Sequence, residues 1–361
     1  MFNITNIESV IELEISYVRK VCLKLLVNKG TPLDIAEIVV SHLITSEMEG
    51  HLSHGILRIL EYVKKIENGL ISVKSSPTIQ KVSNLSSMVI GNKSFGALTL
   101  NYAIEELLEI LKKQSIAIVG IQESNHLGRI GHLTSQISSK GFITLGFVNY
   151  MGGGQNVPVW KGTEGRFCTN PITIGFPKTS LFDSIVIDMS TSNAAEGKIR
   201  KHKIYNQALS DETLIDKKWN YVNNPDKFYK EPREVFLAPL GGKNYGYKGY
   251  ALALAVEILA GILTNSGFSQ ESSKDNDGNG GLFIAIKPDI LGISVEKVLS
   301  DIEDLISYLY ESETLEKSVL LPGERSRKLY KKNESNGYLA IKKQLWDKIL
   351  FISGEDNYAS T

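Results

Sequence analysis

Short apolar runs that alternate with helical segments restrict the possible folds of this chain more than any other feature of its sequence. Four runs have the length of a single strand, and they occupy residues 116–121, 142–149, 185–189 and 282–286. Helical segments intervene, notably residues 98–113 and 248–263. Strands that alternate with helices are typical of an α/β sheet. We therefore predict an α/β domain in residues 77–289.

Helical segments precede this domain. Residues 7–28 carry apolar residues at helical spacing and stop at Lys29-Gly30. Thr31-Pro32 then supplies an N-cap and a proline suited to the first position of a second helix. A third helix, beginning at Ser53, is expected to end near Asn68-Gly69.

Helices are also predicted after the domain. An amphipathic helix runs from residue 294 to residue 310, and Pro322-Gly323 forms a turn. A last helix is expected over residues 336–352. The polar, glycine-rich stretch 270–281 is predicted to be a surface loop.

Composition excludes several classes of function. Lys plus Arg number 40 and Asp plus Glu number 40, so the chain has no net field that would attract nucleic acid or an anionic membrane. Two cysteines, Cys22 and Cys168, cannot build a disulfide framework, which fits a reducing compartment. The first residues do not resemble a signal peptide, and the longest apolar run, 251–263, is too short to span a bilayer. We therefore expect a cytoplasmic enzyme that binds neither nucleic acid nor membrane.

Glycine placement indicates a ligand without showing either common nucleotide motif. Neither the GxGxxG fingerprint nor the GxxxxGK[ST] loop is present. Glycines instead cluster beside polar residues in four places, at residues 125–131, 152–154, 240–249 and 322–324. Any one cluster is typical of a plain turn, but glycine also lets the backbone approach a ligand. Four clusters, each after an apolar segment, suggest a ligand shared among several loops.

A short segment carries candidate chemistry for a carboxylate substrate. If Ser53 opens a helix, His54, Arg58 and Tyr62 fall at i, i+4 and i+8 on one stripe. Arg58 can then grip an acid in a bidentate fork, while His54 donates a proton to a neighbouring carbonyl. An exposed polar stripe on a surface helix would carry the same residues. The spacing alone leaves both interpretations open.

The ordered motifs of the chain resemble those of the malate/L-lactate dehydrogenase family that lacks a Rossmann fold. This family includes sulfolactate and ureidoglycolate dehydrogenases, diketogulonate reductase and piperideine-2-carboxylate reductase. The resemblance covers nearly the whole chain and rests on eight motifs in the family's order. They are Ser53-His54-Gly55 with Arg58, Ser124-Asn125-His126-Leu127-Gly128, Thr169-Asn170-Pro171-Ile172, Asp188-Met189-Ser190-Thr191-Ser192, Gly197-Lys198-Ile199, Pro239-Leu240-Gly241-Gly242, Lys248-Gly249-Tyr250 and Leu321-Pro322-Gly323-Glu324.

The resemblance implies an architecture and a reaction. It implies a mixed-sheet, non-Rossmann nicotinamide-binding domain in residues 77–289. A helical N-terminal region, residues 1–76, is joined by C-terminal helices in residues 290–361. The expected assembly is a homodimer with the active site near its interface. In the family, NAD or NADP exchanges hydride with the α-carbon of a 2-oxo acid, a 2-hydroxy acid or a cyclic imino acid, and no metal is required.

Catalytic roles follow from the resemblance residue by residue. His54 matches the family's proton donor, and Ser53 and Asp188 match partners that form a relay with it in some members. A carboxylate at the end of strand 185–187 could orient the imidazole, although Asp188 could equally be an ordinary strand-end residue. In other members the histidine that corresponds to His126 is the acid–base, and we expect it to begin a helix here. Both histidines stay candidates, with His54 preferred.

The resemblance also assigns contacts to substrate and cofactor. The predicted substrate contacts are Arg58, Tyr62, Thr169 and His132. The predicted cofactor contacts are His126, Leu127, Gly128, Arg129, Ile130, Asp188, Met189, Ser190, Lys198, Pro322, Gly323, Glu324 and Arg325.

Two departures from the family pattern leave the substrate open. Cys168 stands where members usually have glycine, and residues 204–229 match poorly. A keto-acid dehydrogenase and a cyclic imino acid reductase both need a carboxylate clamp and an acid. A non-catalytic relative that binds a nicotinamide is the third alternative, and the joint presence of Ser53, His54 and Arg58 argues against it.

Overall fold

A computed structural model describes residues 10–204, 206–270, 278–315 and 319–355. The α-helices are α1 Ile15–Asn28, α2 Leu33–Met48, α3 Arg58–Glu67, α4 Gly96–Leu111, α5 Gly131–Ser139, α6 Glu196–Ile204, α7 Gly242–Tyr245, α8 Tyr247–Val256, α9 Val295–Tyr310, α10 Glu324–Asn336 and α11 Lys343–Ser353. Two 3-10 turns, Leu52–His54 and Pro225–Tyr229, and a π-helical segment, Glu257–Ile262, complete the helical elements.

The strands of the described residues form four sheets. They are β1 Val10–Glu14, β2 Thr78–Lys81, β3 Ser86–Ile90, β4 Ile116–Ser124, β5 Ile143–Tyr150, β6 Val157–Pro158, β7 Gly165–Phe167, β8 Ile172–Phe176, β9 Ile185–Met189, β10 Leu214–Asp216, β11 Tyr221–Val222, β12 Val235–Leu237, β13 Asn279–Ile286 and β14 Tyr338–Lys342.

A mixed sheet of seven strands, in the order β2-β3-β4-β13-β5-β8-β9, forms the centre of the fold. Only β3 and β4 are parallel, and every other neighbouring pair is antiparallel. Apolar side chains of α4 and α5 pack on one face of the central strands. On the other face, Gly280 lets the π-helical segment come close, because a Cβ there would lie 2.2 Å from the Ala260 carbonyl oxygen. The prediction of a mixed α/β sheet is confirmed.

The helices before the sheet share a core with the end of the chain. Buried side chains of α1, α2 and α3 pack with those of β14 and α11, including Trp346. Strand β1 pairs antiparallel with β14, in the register Val10 to Lys342. The N-terminal helices and the last elements therefore form one packed layer beside the sheet. The domain boundaries proposed from the sequence stay a prediction.

Most predicted elements are present at nearly the expected positions. Strands β4, β5, β9 and β13 match the four apolar runs, and α4 and α9 match two predicted helices. In the segment 248–263 the helix continues, but α8 changes to π-helical hydrogen bonding at Glu257. Residues 279–281, expected in a loop, are the first residues of β13. Residues 271–277 of that predicted loop lie outside the described residues.

Two predicted helix boundaries are wrong, and one helix was not predicted. The helix expected from residue 7 begins only at Ile15, because residues 10–14 form β1, and residues 7–9 lie outside the described residues. Ile11 and Leu13 alternate with exposed neighbours, which is the period of a strand. The helix expected over residues 336–352 begins at Lys343, after β14. Helix α10 was not predicted, because none of its side chains is buried and it has no apolar stripe.

The segment 204–229, which matches the family poorly, contributes two strands to a small three-stranded sheet. Strands β10 and β11 pair antiparallel within the segment, and β12, which follows it, pairs antiparallel with β10. Trp219 is buried and lies edge-on to Trp160, with the ring centres 5.0 Å apart. Within the described residues, none of the helices has both the length and the apolar character needed to cross a bilayer.

Candidate active site

His54 lies at the end of a 3-10 turn and not on the helix that carries Arg58 and Tyr62. The turn spans Leu52–His54, the chain bends at Gly55, and α3 begins only at Arg58. The prediction that a single helix starting at Ser53 carries all three side chains is therefore wrong. Only the Arg58–Tyr62 spacing is helical.

A buried carboxylate accounts for this bend. The Glu47 carboxylate accepts a hydrogen bond of 2.9 Å from the backbone N–H of Ile56. In a helix that began at Ser53, this N–H would be among the first four, which have no partner within the helix. The Glu47 carboxylate supplies that partner from α2, and the chain bends before α3 starts.

His54 and Arg58 nevertheless remain neighbours. The Arg58 Nε–H donates to the carbonyl oxygen of Ser53 over 2.7 Å, and Ser53 Oγ lies 2.9 Å from His54 Nδ1. Arg58 Nη1 also donates to Glu61 over 2.6 Å. A guanidinium has five N–H donors, so donors remain for a further carboxylate. The bend at Gly55, and not a common helix face, therefore brings the His54 imidazole close to the Arg58 guanidinium.

His126, which follows strand β4, lies beside the same group of side chains. Its ring centre lies 5.5 Å from that of His54 with the planes 21° apart, and its Nδ1 lies 3.3 Å from the Tyr62 hydroxyl. His126 belongs to the loop between β4 and α5, which starts at Gly131, so the expectation that it begins a helix is wrong. The Asn125 amide fixes this loop by donating to the carbonyl oxygens of Leu70, Lys93 and Ser94.

Both imidazoles are held in the neutral form near neutral pH. Burial, together with the guanidinium of Arg58, lowers the pKa of His54 and of His126 well below the usual 6.5. His54 is half-buried. Its pKa is lowered first by burial and then by the positive charges of its neighbours, Arg58 foremost. A neutral imidazole in the free protein is a base. It becomes an acid only when a bound anion offsets the nearby positive charge.

Asp188 binds Arg129 and the loop backbone instead of an imidazole. Its carboxylate accepts the Gly131 N–H over 3.1 Å and lies 3.5 Å from Arg129 Nε. Arg129 also pairs with Glu49, and its guanidinium is buried between the two carboxylates. The proposed Asp188–His54 relay is therefore not formed among these contacts, whereas its Ser53–His54 half is. Burial raises the pKa of Asp188 and of Glu49, and Arg129 opposes that shift.

The predicted cofactor segments lie against β9 and the residues that follow it. The Val186 N–H donates to the Pro322 carbonyl oxygen over 3.2 Å, which places the 322–325 segment against β9. Gly131 of the 126–131 loop contacts Asp188 of the same strand. The glycine cluster of residues 240–249 also contacts this strand's continuation, because the Leu240 N–H donates to the Thr191 carbonyl oxygen over 2.9 Å.

The groups around these segments suit an anionic dinucleotide. Helix α10 begins after Gly323 without a side-chain cap, so N–H groups at its first turn can meet phosphate. Arg325 and Lys198 are exposed cations, and neither has an ion-pair partner within the described ranges. Met189 is 39% exposed at the end of β9, where it can contact an aromatic ring. Arg129 is the exception, because its charge is already matched by two carboxylates.

Glycines at the site allow close approach between elements. A Cβ at Gly197, in the first turn of α6, would lie 2.2 Å from Ser53 Cβ, so this helix end packs directly against the His54 turn. The Thr169 carbonyl oxygen accepts hydrogen bonds from the N–H and hydroxyl of Thr191. Thr169 thus ties its loop to the segment after β9, and its proposed substrate contact remains a prediction.

His132 lies with His42 and away from the His54 group. Their ring centres are 4.8 Å apart, and His132 Nε2 lies 2.7 Å from the Gln136 amide. Both histidines line a cavity of about 320 Å³ between α2, α4 and α5. Neither His54 nor Arg58 lines that cavity, so the structure gives a substrate role for His132 no support.

Sequence reasoning missed three residues that shape the site. Glu47 holds the bend after His54, Glu49 neutralises Arg129, and His42 accepts the backbone N–H of Arg129 over 3.1 Å. Each lies on or just beyond α2, and the sequence of α2 has no feature that distinguishes it from an ordinary helix. Their one sequence signal was that Glu47 and Glu49 lie shortly before the Ser53-His54-Gly55 motif.

Comparison with known proteins gives a consistent result. Residues 13–350 match the sequence model of a family described as malate/L-lactate dehydrogenase. The malate/(S)-sulfolactate dehydrogenase of Methanothermus fervidus is 28% identical over 354 residues, which cover 95% of this chain and 97% of the relative. Hydroxycarboxylate dehydrogenase B of Escherichia coli O157:H7 is 30% identical over 294 residues, covering 80% of this chain and 79% of the relative.

Solved structures share the fold over almost the whole chain. A putative malate/lactate dehydrogenase from E. coli superposes with a TM-score of 0.87 at 25% identity, covering 95% of each chain. The malate dehydrogenase of Entamoeba histolytica superposes with a TM-score of 0.88 at 22% identity, covering 96% of this chain and 98% of that one.

Proposed function

Because the chain belongs to the malate/L-lactate dehydrogenase family, a group of hydroxy-acid dehydrogenases and reductases, we propose that His54 and Arg58 form its catalytic centre. The protein is an oxidoreductase that moves hydride between a nicotinamide cofactor and the α-carbon of a small 2-oxo or 2-hydroxy acid. One observation carries the assignment of the centre. The imidazole of His126, from a distant segment, lies beside the imidazole of His54 and the guanidinium of Arg58.

His54 moves the proton. In the oxidation of a hydroxy acid, the neutral imidazole takes the hydroxyl proton; in reduction, the imidazolium returns it to the carbonyl oxygen. Ser53 engages Nδ1, which leaves Nε2 for the substrate. A bound carboxylate offsets the charge of Arg58, so the pKa of His54 rises when the acid binds. His126 remains the second candidate, because its ring stacks on that of His54.

Arg58 orients the acid. Its Nε–H donates to the Ser53 carbonyl oxygen, and one N–H of Nη1 donates to Glu61. The remaining N–H groups are available to the substrate carboxylate. Glu61 holds the guanidinium in place before substrate arrives. Tyr62 then sets the position of His126 through its hydroxyl group.

We propose that residues along β9 and in the segments against it would hold the cofactor. We assign its phosphates to the first turn of α10 with Arg325 and Lys198, and its ring to Met189 and the His126–Ile130 loop. When bound, the nicotinamide cofactor supplies or accepts the hydride. Asp188 and Arg129 hold the three surrounding segments together, and their contacts support a positioning role. NAD and NADP both remain possible cofactors.

The assembly we propose is a homodimer. Helix α8 and the π-helical segment expose Leu254, Ile258, Ile262 and Leu263 at 42%, 47%, 58% and 64%. The stretch from residue 251 to residue 263 has no charged residue other than Glu257, which is buried. Contiguous apolar surface of this kind marks a protein interface. A second copy of the chain is the partner that fits, and a cytoplasmic location remains our prediction.

Sedimentation tests the dimer. Ile262→Glu should shift the protein from dimer to monomer, because it buries a charge in the proposed interface. Leu181→Glu is the matched control, since Leu181 is 69% exposed outside this face. A dimer that survives Ile262→Glu contradicts the assignment of the surface.

Loss of reduced-nicotinamide absorbance tests the activity. The protein is incubated with NADH or NADPH and with a panel of 2-oxo acids, their amides and cyclic imino acids. We expect turnover of at least one 2-oxo acid, and much slower turnover of its amide. Turnover restricted to cyclic imino acids would identify an imine reductase, and cofactor binding without any turnover would identify a non-catalytic relative.

A further inference from the structure

The Glu47 carboxyl group is buried without a compensating cation. It lies in the last turn of α2 and is 8% exposed. Within the described parts of the chain, no lysine, arginine or histidine forms an ion pair with it. A carboxylate so far from water is costly unless it serves as a hydrogen-bond acceptor or carries a proton. Its position therefore needs an explanation.

The only hydrogen bond of this carboxyl group in the described structure holds the catalytic bend. Its Oε2 accepts the Ile56 N–H at 2.9 Å. The same oxygen lies directly under Gly55, because a Cβ built on that glycine would be 1.9 Å from it. The carboxyl group thus packs against the backbone of Gly55 and Ile56, which connects His54 to Arg58.

The acceptor decides where two functional side chains point. His54 ends its 3-10 turn one residue before Gly55, and Arg58 opens α3 two residues after Ile56. If the Ile56 N–H lost its acceptor, it would be a buried unpaired donor, and the bend would relax to recover a partner. A shift of about 1 Å in the relative position of an acid and a substrate clamp can lower a rate on the order of a hundredfold.

We propose that Glu47 is a positioning residue for the reaction: it fixes the bend at Gly55–Ile56 and thereby sets the imidazole of His54 against the guanidinium of Arg58. This inference rests on the proposed function, since it assigns the geometry of the same site. It concerns the acceptor oxygen and not the negative charge. Burial raises the pKa of Glu47 to about 7. The Cys22 thiol on α1 is a titratable neighbour. The protonated carboxyl group also has an oxygen that can accept the Ile56 N–H.

Two substitutions separate the acceptor from the charge. Glu47→Gln keeps an oxygen for the Ile56 N–H, whereas Glu47→Met keeps a similar length without an acceptor. We expect kcat for the 2-oxo acid within about threefold of wild type in Glu47→Gln, and lower by about tenfold or more in Glu47→Met. The dissociation constant of the reduced cofactor should change less than about twofold in both, because the cofactor segments do not contact Glu47.

Glu106→Met is the matched control for a general loss of stability. Glu106 is also a buried glutamate, 3% exposed, and it accepts hydrogen bonds from Ser87 and Lys81 on the sheet. This variant should melt at a lower temperature and keep kcat. An equal loss of kcat in Glu106→Met and Glu47→Met, or wild-type kcat and KM in Glu47→Met, would overturn the proposal.

A third variant covers the case in which Glu47→Met does not fold. Gly55→Ala retains the carboxylate but forces the bend away from it, so kcat should again fall by about tenfold or more. Unchanged kcat in a folded Gly55→Ala protein contradicts the role of the bend. The wild-type protein is assayed first: absence of turnover there refutes the proposed function, whereas normal wild-type turnover with insensitive variants refutes only the role of Glu47.

Discussion

Two pairs of histidines lie close to the 125–130 loop, and they differ in what holds them. His54 and His126 stack at 5.5 Å beside Arg58, with hydroxyl groups of Ser53 and Tyr62 as hydrogen-bond partners. His42 and His132 meet edge-on at 4.8 Å. His42 accepts the backbone N–H of Arg129, which fixes its tautomer with the proton on Nδ1.

The comparison shows that residue type and burial do not separate a catalytic histidine from a structural one. Burial lowers the pKa of all four imidazoles. The His54 pair lies beside the Arg58 guanidinium, whereas the Arg129 guanidinium near the His42 pair is buried between the Glu49 and Asp188 carboxylates. The His42 pair is committed to backbone and amide partners.

Arg129→Met should have the largest effect, and on stability. Its backbone N–H still reaches His42, but the Glu49 and Asp188 carboxylates lose their shared cation. We expect a loss of about 3 kcal/mol in the free energy of unfolding at pH 8, measured by urea denaturation. The loss should shrink toward pH 5, because the variant's carboxylates can then take up protons. Arg166→Met, which breaks an exposed pair with Glu164, should change stability by less than about 0.5 kcal/mol.

His54→Ala should reduce kcat on the order of a hundredfold or more, because the reaction loses its proton donor and acceptor. The reduced cofactor should still bind with an unchanged dissociation constant, measured by fluorescence titration. His126→Ala provides the comparison within the pair. A variant at position 54 that turns over normally, together with an inactive variant at position 126, would move the acid–base role to His126.

Arg58→Gln should raise KM for the acid by about thirtyfold, equivalent to about 2 kcal/mol, because the carboxylate loses its charged partner. Initial rates over a range of acid concentrations measure this change. The KM of the corresponding amide, which cannot form the bidentate ion pair with Arg58, should change much less. Equal losses for acid and amide would show that Arg58 supports the fold of the bend and not the substrate.

His132→Gln should have the smallest effect, and it should appear only in the pH dependence of stability. Burial and the neighbouring Arg129 lower the pKa of His132 to about 4, so the unfolded chain binds its proton between pH 6.5 and pH 4 while the folded chain does not. The wild type therefore loses stability through His132 as the pH falls across that window. The variant should lose about 1 kcal/mol less on acidification from pH 7 to pH 5.5. A raised KM in this variant would instead restore His132 as a substrate contact.

The sequence predicted elements whose pattern is local. Runs such as 185–189 are apolar over the length of a strand, and β9 has those bounds. Strand β1 was missed because its alternation covers only five residues and its partner β14 is at the other end of the chain. Helix α10 was missed because it buries no side chain.

The site shows the same division between local and distant information. The residues of the Ser53–Arg58 motif were identified, but their geometry was not, because the bend depends on the Glu47 carboxylate from the preceding helix. The partner of Asp188 was also not predictable. Arg129 lies far from it in sequence, and nothing in either segment indicates which of several charged groups it meets.

Transfer of label from cofactor to acid tests the central assignment most directly. A 2-oxo acid is reduced with a cofactor that carries deuterium at the reactive carbon of the nicotinamide, and the product is analysed by NMR. We predict deuterium at the α-carbon of the hydroxy acid with the wild-type protein, and almost none over the same time with His54→Ala. Label transfer by His54→Ala at the wild-type rate, or no transfer to any acid by the wild type, would contradict a shared site of His54 and Arg58.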